Sequence, residues 1–102
     1  MTKYTMYIGL NDKDSKHQEI STLDAYKIAS NLAVVHLGFA TITEARGVYT
    51  HDDGTIVEEV TLRCEVTNVK LENIKAFCLA VKDALNQESV ALEKTEVNFN
   101  FI

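Results

Sequence analysis

Proline and tryptophan are absent from these 102 residues, glycine occurs four times and cysteine twice. With no proline and so little glycine, no stretch has the composition of a linker, and the chain reads as a single domain over residues 1–102. Dividing a chain this short would leave pieces too small to bury useful cores. Long hydrophobic runs are missing too. The longest, such as Leu32 to Val35, fall far short of the roughly 20 residues that span a bilayer. The opening residues Met1-Thr2-Lys3-Tyr4-Thr5 lack the apolar stretch of a signal peptide, so a cytoplasmic protein without membrane contact is expected.

Cys64 and Cys78 form no C-x-x-C redox or zinc pattern. Both fall on apolar faces in the reading below, where a reduced thiol packs as a small hydrophobe. Basic residues are scarce: ten against fifteen acidic ones, for a net charge of −5. Residues 1–47 are balanced at five and five, so the whole excess lies in residues 48–102, with ten acids and five bases. Direct binding to nucleic acid would work against that field, whereas a larger basic protein would be drawn to it.

What is present is periodicity. Tyr4, Met6, Ile8 and Leu10 alternate with Thr5, Tyr7 and Gly9, which predicts a strand, and the polar residues 11–19 that follow read as a solvated loop. Ser21 can cap a helix, with Asp24 in the capping-box position. Ala25, Ile28, Ala29, Leu32, Ala33, Val35 and His36 fit a helical stripe over 22–37, and Gly38 is its stop signal. Phe39 to Thr50 is rich in β-formers, with Gly47 marking a bulge. His51-Asp52-Asp53-Gly54 is a tight turn, and Thr55 to Val66 is the return strand. Its residues Ile56, Val60, Leu62, Cys64 and Val66 share one face, broken by Glu58, while Val57, Glu59, Thr61, Arg63 and Glu65 share the other. Asn68 would cap a second helix over 69–86, whose apolar stripe is Leu71, Ile74, Cys78, Val81 and Leu85 with Phe77 and Ala84. In the tail, Val90 and Leu92 share one parity and Val97, Phe99 and Phe101 the other. Either residues 93–95 form a bulge or turn, or the tail exposes an aromatic stripe.

The order βαββαβ, with one hairpin between the middle strands, is that of a ferredoxin-like α+β sandwich. Right-handed crossovers place both helices on one face of a four-stranded antiparallel sheet. The other face would carry Thr5, Tyr7, Thr61, Arg63, Thr41 and Thr43, and is wettable. This architecture serves many functions. No paired cysteines follow the first strand, as a heavy-metal chaperone would need, and no basic aromatic motif lies on the third, as an RNA-recognition domain would need. The central connection is too short for a nucleotide-regulated trimer, and no P-loop or Gly-x-Gly-x-x-Gly occurs. Cofactors are therefore not expected.

Catalytic and metal motifs are thin. His17, His36 and His51 are nineteen and fifteen residues apart and make no local metal motif. Ser15, Ser21, Ser30 and Ser89 fall in a loop, a cap, a helix face and a strand start and make no triad motif, and the exposed carboxylate pairs give no reason for the raised pKa that acid catalysis requires. Two candidate contact regions stand out. Asp52, Asp53, Glu58 and Glu59 place four negative charges within eight residues of the hairpin, either as a solvated turn or as an acidic prong for a basic groove. Phe99 and Phe101 lie on a C-terminal edge strand with nothing to blunt pairing. They either fill the core, pair across a homodimer axis or add to a partner's sheet.

Together these features predict a non-enzymatic protein-binding module. In concrete form it is a small acidic inhibitor from a phage or mobile element that occupies the nucleic-acid-binding surface of a basic protein such as a CRISPR nuclease. The alternatives are a homo-oligomeric domain binding a small ligand or doing cofactor-free chemistry, with Tyr7, Arg63 and His51 as residues of interest, and a structural phage component.

Overall fold

A computed structural model describes all 102 residues. The elements follow as β1 (Thr2–Gly9), α1 (Thr22–Leu37), β2 (Thr41–Thr50), β3 (Ile56–Thr67), α2 (Leu71–Ala84) and β4 (Ala91–Glu96). The strands pair antiparallel in the order β2-β3-β1-β4, with α1 and α2 packed on one face. This is the ferredoxin-like sandwich that the periodicity predicts. No helix is long and apolar enough to cross a membrane.

Register explains the division of the sheet into two faces. Met6 stands opposite Cys64, and Ile42 opposite Cys64 on the far side, so even-numbered residues of β1, β2 and β3 face the helices together. Tyr4, Met6, Ile8, Leu62, Cys64 and Val66 are buried there against Ile74, Phe77 and Val81 of α2. Helix α1 meets the same core through Ala25, Ala29, Ala33 and Leu37, four residues apart. Alanine at this spacing lets the helix lie close to its neighbours. Ser21 Oγ accepts the Asp24 N–H at 3.1 Å, and the amide of Gly38, at φ 86°, bonds the carbonyls of Ala33 and Val34.

Several local expectations are corrected. Gly47 marks no bulge, because β2 and β3 keep one register from Thr41–Glu65 to Thr50–Ile56. Asn68 does not cap α2. It takes the left-handed conformation (φ 59°) and donates its N–H to Thr2 O, and α2 starts at Leu71 with no side-chain cap. Val35 and Leu71 point outward rather than into the core, since neither helix stripe is as wide as the count of apolar residues suggested. β4 runs without a bulge and ends at Glu96. The C-terminal aromatics therefore lie beyond it, outside the core and exposed.

Phe77 is fully enclosed, and Phe77→Ala is expected to cost about 3–5 kcal/mol, enough to show as a large drop in melting temperature. The thiols give a second check. Burial pushes Cys64 up to about 12, with the nearby Cys78 and Glu65 adding to it, and burial also raises Cys78. The unfolded Cys64 thiol ionises near 9.0, so its contribution to stability is full below that pH and is lost as the pH rises toward 12. Iodoacetamide at about pH 8 should leave Cys64 unmodified until the protein is denatured, and rapid native labelling would contradict this.

Candidate functional site

The open face of the sheet carries a polar cleft of about 330 Å³ at the end of β1. Its walls are Tyr7 and Gly9 of β1, Tyr49 of β2, Glu59 and Thr61 of β3 and Ala91 of β4. The loop after β1 (Asn11, Asp12, Lys13, Lys16) and residues 87–89 close it. All the strand residues are odd-numbered, so the alternation that buries Met6 and Leu62 turns this set outward. Small side chains clear the floor. A Cβ on Gly9 would stand 2.6 Å from the Glu59 carboxylate, and one on Gly47 3.2 Å from Thr61 Oγ1. Glycine at position 9 is what lets Glu59 lie across β1, where its Oε2 accepts the Asn11 N–H at 2.9 Å. Tyr49 meets His51 edge to face, with ring centroids 5.6 Å apart.

The loop wall is tied to the end of α2. Asp12 accepts the N–H groups of Asp14 and Ser15 at 2.9 and 3.1 Å and the Asn86 amide at 2.6 Å. The Asn86 bond is the main reason the Asp12 carboxyl sits below its ordinary range, with the two backbone donors adding to it. Asn86 also donates to Asp14 at 3.0 Å, and its carbonyl accepts the Lys13 N–H. Gln87 is buried next to it, and its Nε2 donates to Asn11 O at 2.9 Å and Leu85 O at 3.2 Å. A loop that reads as merely solvated is thus held at four residues, Asn11 to Asp14. Asn11, Asp12, Asn86 and Gln87 were missed from the sequence. The one available signal was Asn86 itself, a residue that tolerates the left-handed conformation (φ 49°) ending a helix.

The four acids expected to form one prong are divided. Asp52 is exposed at the tip, and Asp53 folds back so that its Oδ1 accepts the Thr55 N–H at 2.9 Å, which lowers its pKa. Glu58 is exposed on the opposite side of β3 from Glu59, and only Glu59 enters the cleft. Phe99 and Phe101 pack edge to face at 5.1 Å, away from the cleft, with Phe99 lining a smaller groove beside Phe39, Lys3 and Glu65. Arg63 pairs with Glu65 at 2.9 Å, and Lys3 with the same carboxylate at 3.2 Å, so it is Tyr7 that reaches the cleft. No group of three or more His, Cys, Asp or Glu side chains is arranged to hold a metal ion. The Glu59 carboxylate with one free oxygen, the phenols of Tyr7 and Tyr49 and the ammonium groups of Lys13 and Lys16 suit a small polar molecule that carries charges of both signs, hydroxyl donors or a flat ring.

No family model and no curated protein matches this sequence. Solved structures that share its fold include two of a phage enzyme. A phage SAM lyase in complex with S-methyl-5'-thioadenosine aligns at a TM-score of 0.68 with 23% identity, covering 93% of this chain and 80% of the other. A phage SAM lyase in the apo state aligns at 0.64 with 21% identity, covering 92% and 78%. The likeness establishes the fold. It also overturns the expectation of a non-enzymatic inhibitor, because two solved structures matching nearly the whole chain are those of an enzyme. Local motifs misled here because the cleft gathers residues from four strands and two connections, and no two of its strand side chains make a recognisable spacing.

The contact between Gly9 and Glu59 is testable. In Gly9→Ala the methyl group occupies the space of the carboxylate, so the Asn11 N–H loses its partner. Its hydrogen exchange should accelerate by about tenfold or more, as expected for a bond to a charged group. Unchanged protection at Asn11 would show that Glu59 is not held there.

Proposed function

We propose that this chain is a lyase that cleaves S-adenosylmethionine and releases S-methyl-5'-thioadenosine, with the open-face cleft as its site. The observation that carries the reading is the Glu59 carboxylate, held over Gly9 by the Asn11 N–H in a cleft that Tyr7 and Tyr49 also line. The fold shared with a phage enzyme named for that substrate supports it.

The substrate's sulfur is a sulfonium, a permanent cation. A carboxylate attracts it, and phenol faces accommodate it without forming a covalent bond. Breaking the bond between sulfur and the γ-carbon of the methionine chain sends the electron pair to sulfur, which leaves as a neutral thioether. The γ-carbon must then gain a bond from within the substrate. In one route the substrate's own carboxylate oxygen closes on it to give a lactone. In the other, a base removes the β-proton and that C–H pair becomes a double bond, with Glu59 as the carboxylate at hand and the proton passing to solvent. The first route asks the cleft only to fold the chain so that oxygen stands behind the carbon.

Incubation with S-adenosylmethionine, followed by chromatography and mass spectrometry, should show S-methyl-5'-thioadenosine appearing as substrate disappears. The lactone and the alkene are isomers, and proton NMR separates them by the vinyl signals. Glu59→Gln should lower kcat/KM by about 10²-fold while leaving the fold intact. A folded wild-type protein that releases no thioadenosine above the uncatalysed rate would overturn the proposal, as would an undiminished Glu59→Gln variant.

A further inference from the structure

Gln87 is the one buried amide in the cleft wall, with only 7% of its surface exposed. Its orientation is determined by its partners. Both groups within reach, Asn11 O and Leu85 O, are carbonyl oxygens, so the side-chain nitrogen must face them and both of its hydrogens are used. The side-chain oxygen, Oε1, accepts from no protein group and is not sealed from solvent. Gln87 lines the cleft, and its side chain, locked by two bonds, keeps a single, neutral acceptor free.

The cleft sorts acceptors by charge. Asn11 spaces two of them: its N–H is taken by Glu59 and its carbonyl by Gln87. The cationic groups of a sulfonium substrate are better satisfied by carboxylates, of which Glu59, Asp12 and Glu88 line the cleft. A neutral amide oxygen suits a neutral N–H donor, and the adenine 6-amino group is the neutral N–H donor of a thioadenosine. We infer that Gln87 is the residue that reads the adenine ring, its Oε1 accepting a hydrogen bond from the 6-amino group. This rests on the lyase reading above and adds a specificity determinant to it. Nucleosides with a 6-oxo group bind more weakly because oxygen would face oxygen where the amino group donates.

The test uses the full chain and two probes, S-methyl-5'-thioadenosine and its 6-oxo counterpart S-methyl-5'-thioinosine, titrated by calorimetry. Wild-type protein should bind the amino ligand about tenfold or more tightly, and Gln87→Met should bring the two within about threefold. A residue-specific readout needs no variant to fold: the Gln87 side-chain amide signals in ¹⁵N NMR should shift with the amino ligand and much less with the oxo ligand. Equal binding of the two probes by wild type, an undiminished preference in folded Gln87→Met, or Gln87 signals unmoved by saturating amino ligand would each overturn the assignment. The two readings fail separately. Cleavage of S-adenosylmethionine without base preference removes the role of Gln87 alone, whereas absence of both cleavage and thioadenosine binding removes both.

Discussion

The strict alternation of β1, paired on both sides, is the constraint on which the rest of the molecule depends. β1 lies between β3 and β4, so Lys3 to Tyr7 are each committed to one face by two neighbouring strands at once, and Ile8 and Gly9 follow in the same register with β3. Tyr4, Met6 and Ile8 go under the helices, and Thr5, Tyr7 and Gly9 go to the open face. A slip of one residue would bury Tyr7 and Gly9 and expose Met6, losing both core and cleft. The same alternation builds the core and the floor of the site.

The second requirement is closure of the cleft at its end, and this comes from outside the sheet. Beyond Gly9 the chain leaves β1, yet Leu10 N–H still bonds Val60 O and Asn11 N–H bonds the Glu59 side chain. The end of α2 then anchors the loop through Asn86 and Gln87. Asn86 can do this because its left-handed backbone turns the chain out of the helix with its amide facing Asp12. Glu59, the loop and the helix end form one connected set of hydrogen bonds, and in such a set each group limits the freedom of the next. That set gives a shallow sheet face a defined wall.

The fold was legible because period two and period 3.6 are visible along a single strand or helix, as Met6–Ile8 and Ile74–Phe77–Val81 show. The helix α1 was legible to the residue, since Ser21 and Gly38 act through local backbone chemistry. Asn68 was misread because a capping side chain and a left-handed turn favour the same residue, and the bond to Thr2 O that decides between them comes from the other end of the chain. Gly47 was misread for a like reason: glycine in a strand signals either a bulge or a close neighbour, and here the neighbour is Thr61 across the ladder. Charge counting was the weakest guide. It grouped Asp52, Asp53, Glu58 and Glu59 by proximity in sequence, although the strand sends Glu58 and Glu59 to opposite faces.

By itself the sequence determined the strand and helix order, the division of β3 into a dry and a wet face, and the surplus of acid in residues 48–102. These are properties of composition and of short-range periodicity, and short-range backbone sterics suffice to impose them. Only the tertiary structure decided that Glu59 lies over Gly9, fifty positions away, that Gln87 fastens the loop after β1, and that Tyr7 and Tyr49 share a cleft. Such contacts depend on register and on the closing of long loops. Their partners are chosen by which strands become neighbours, and no local pattern records that choice.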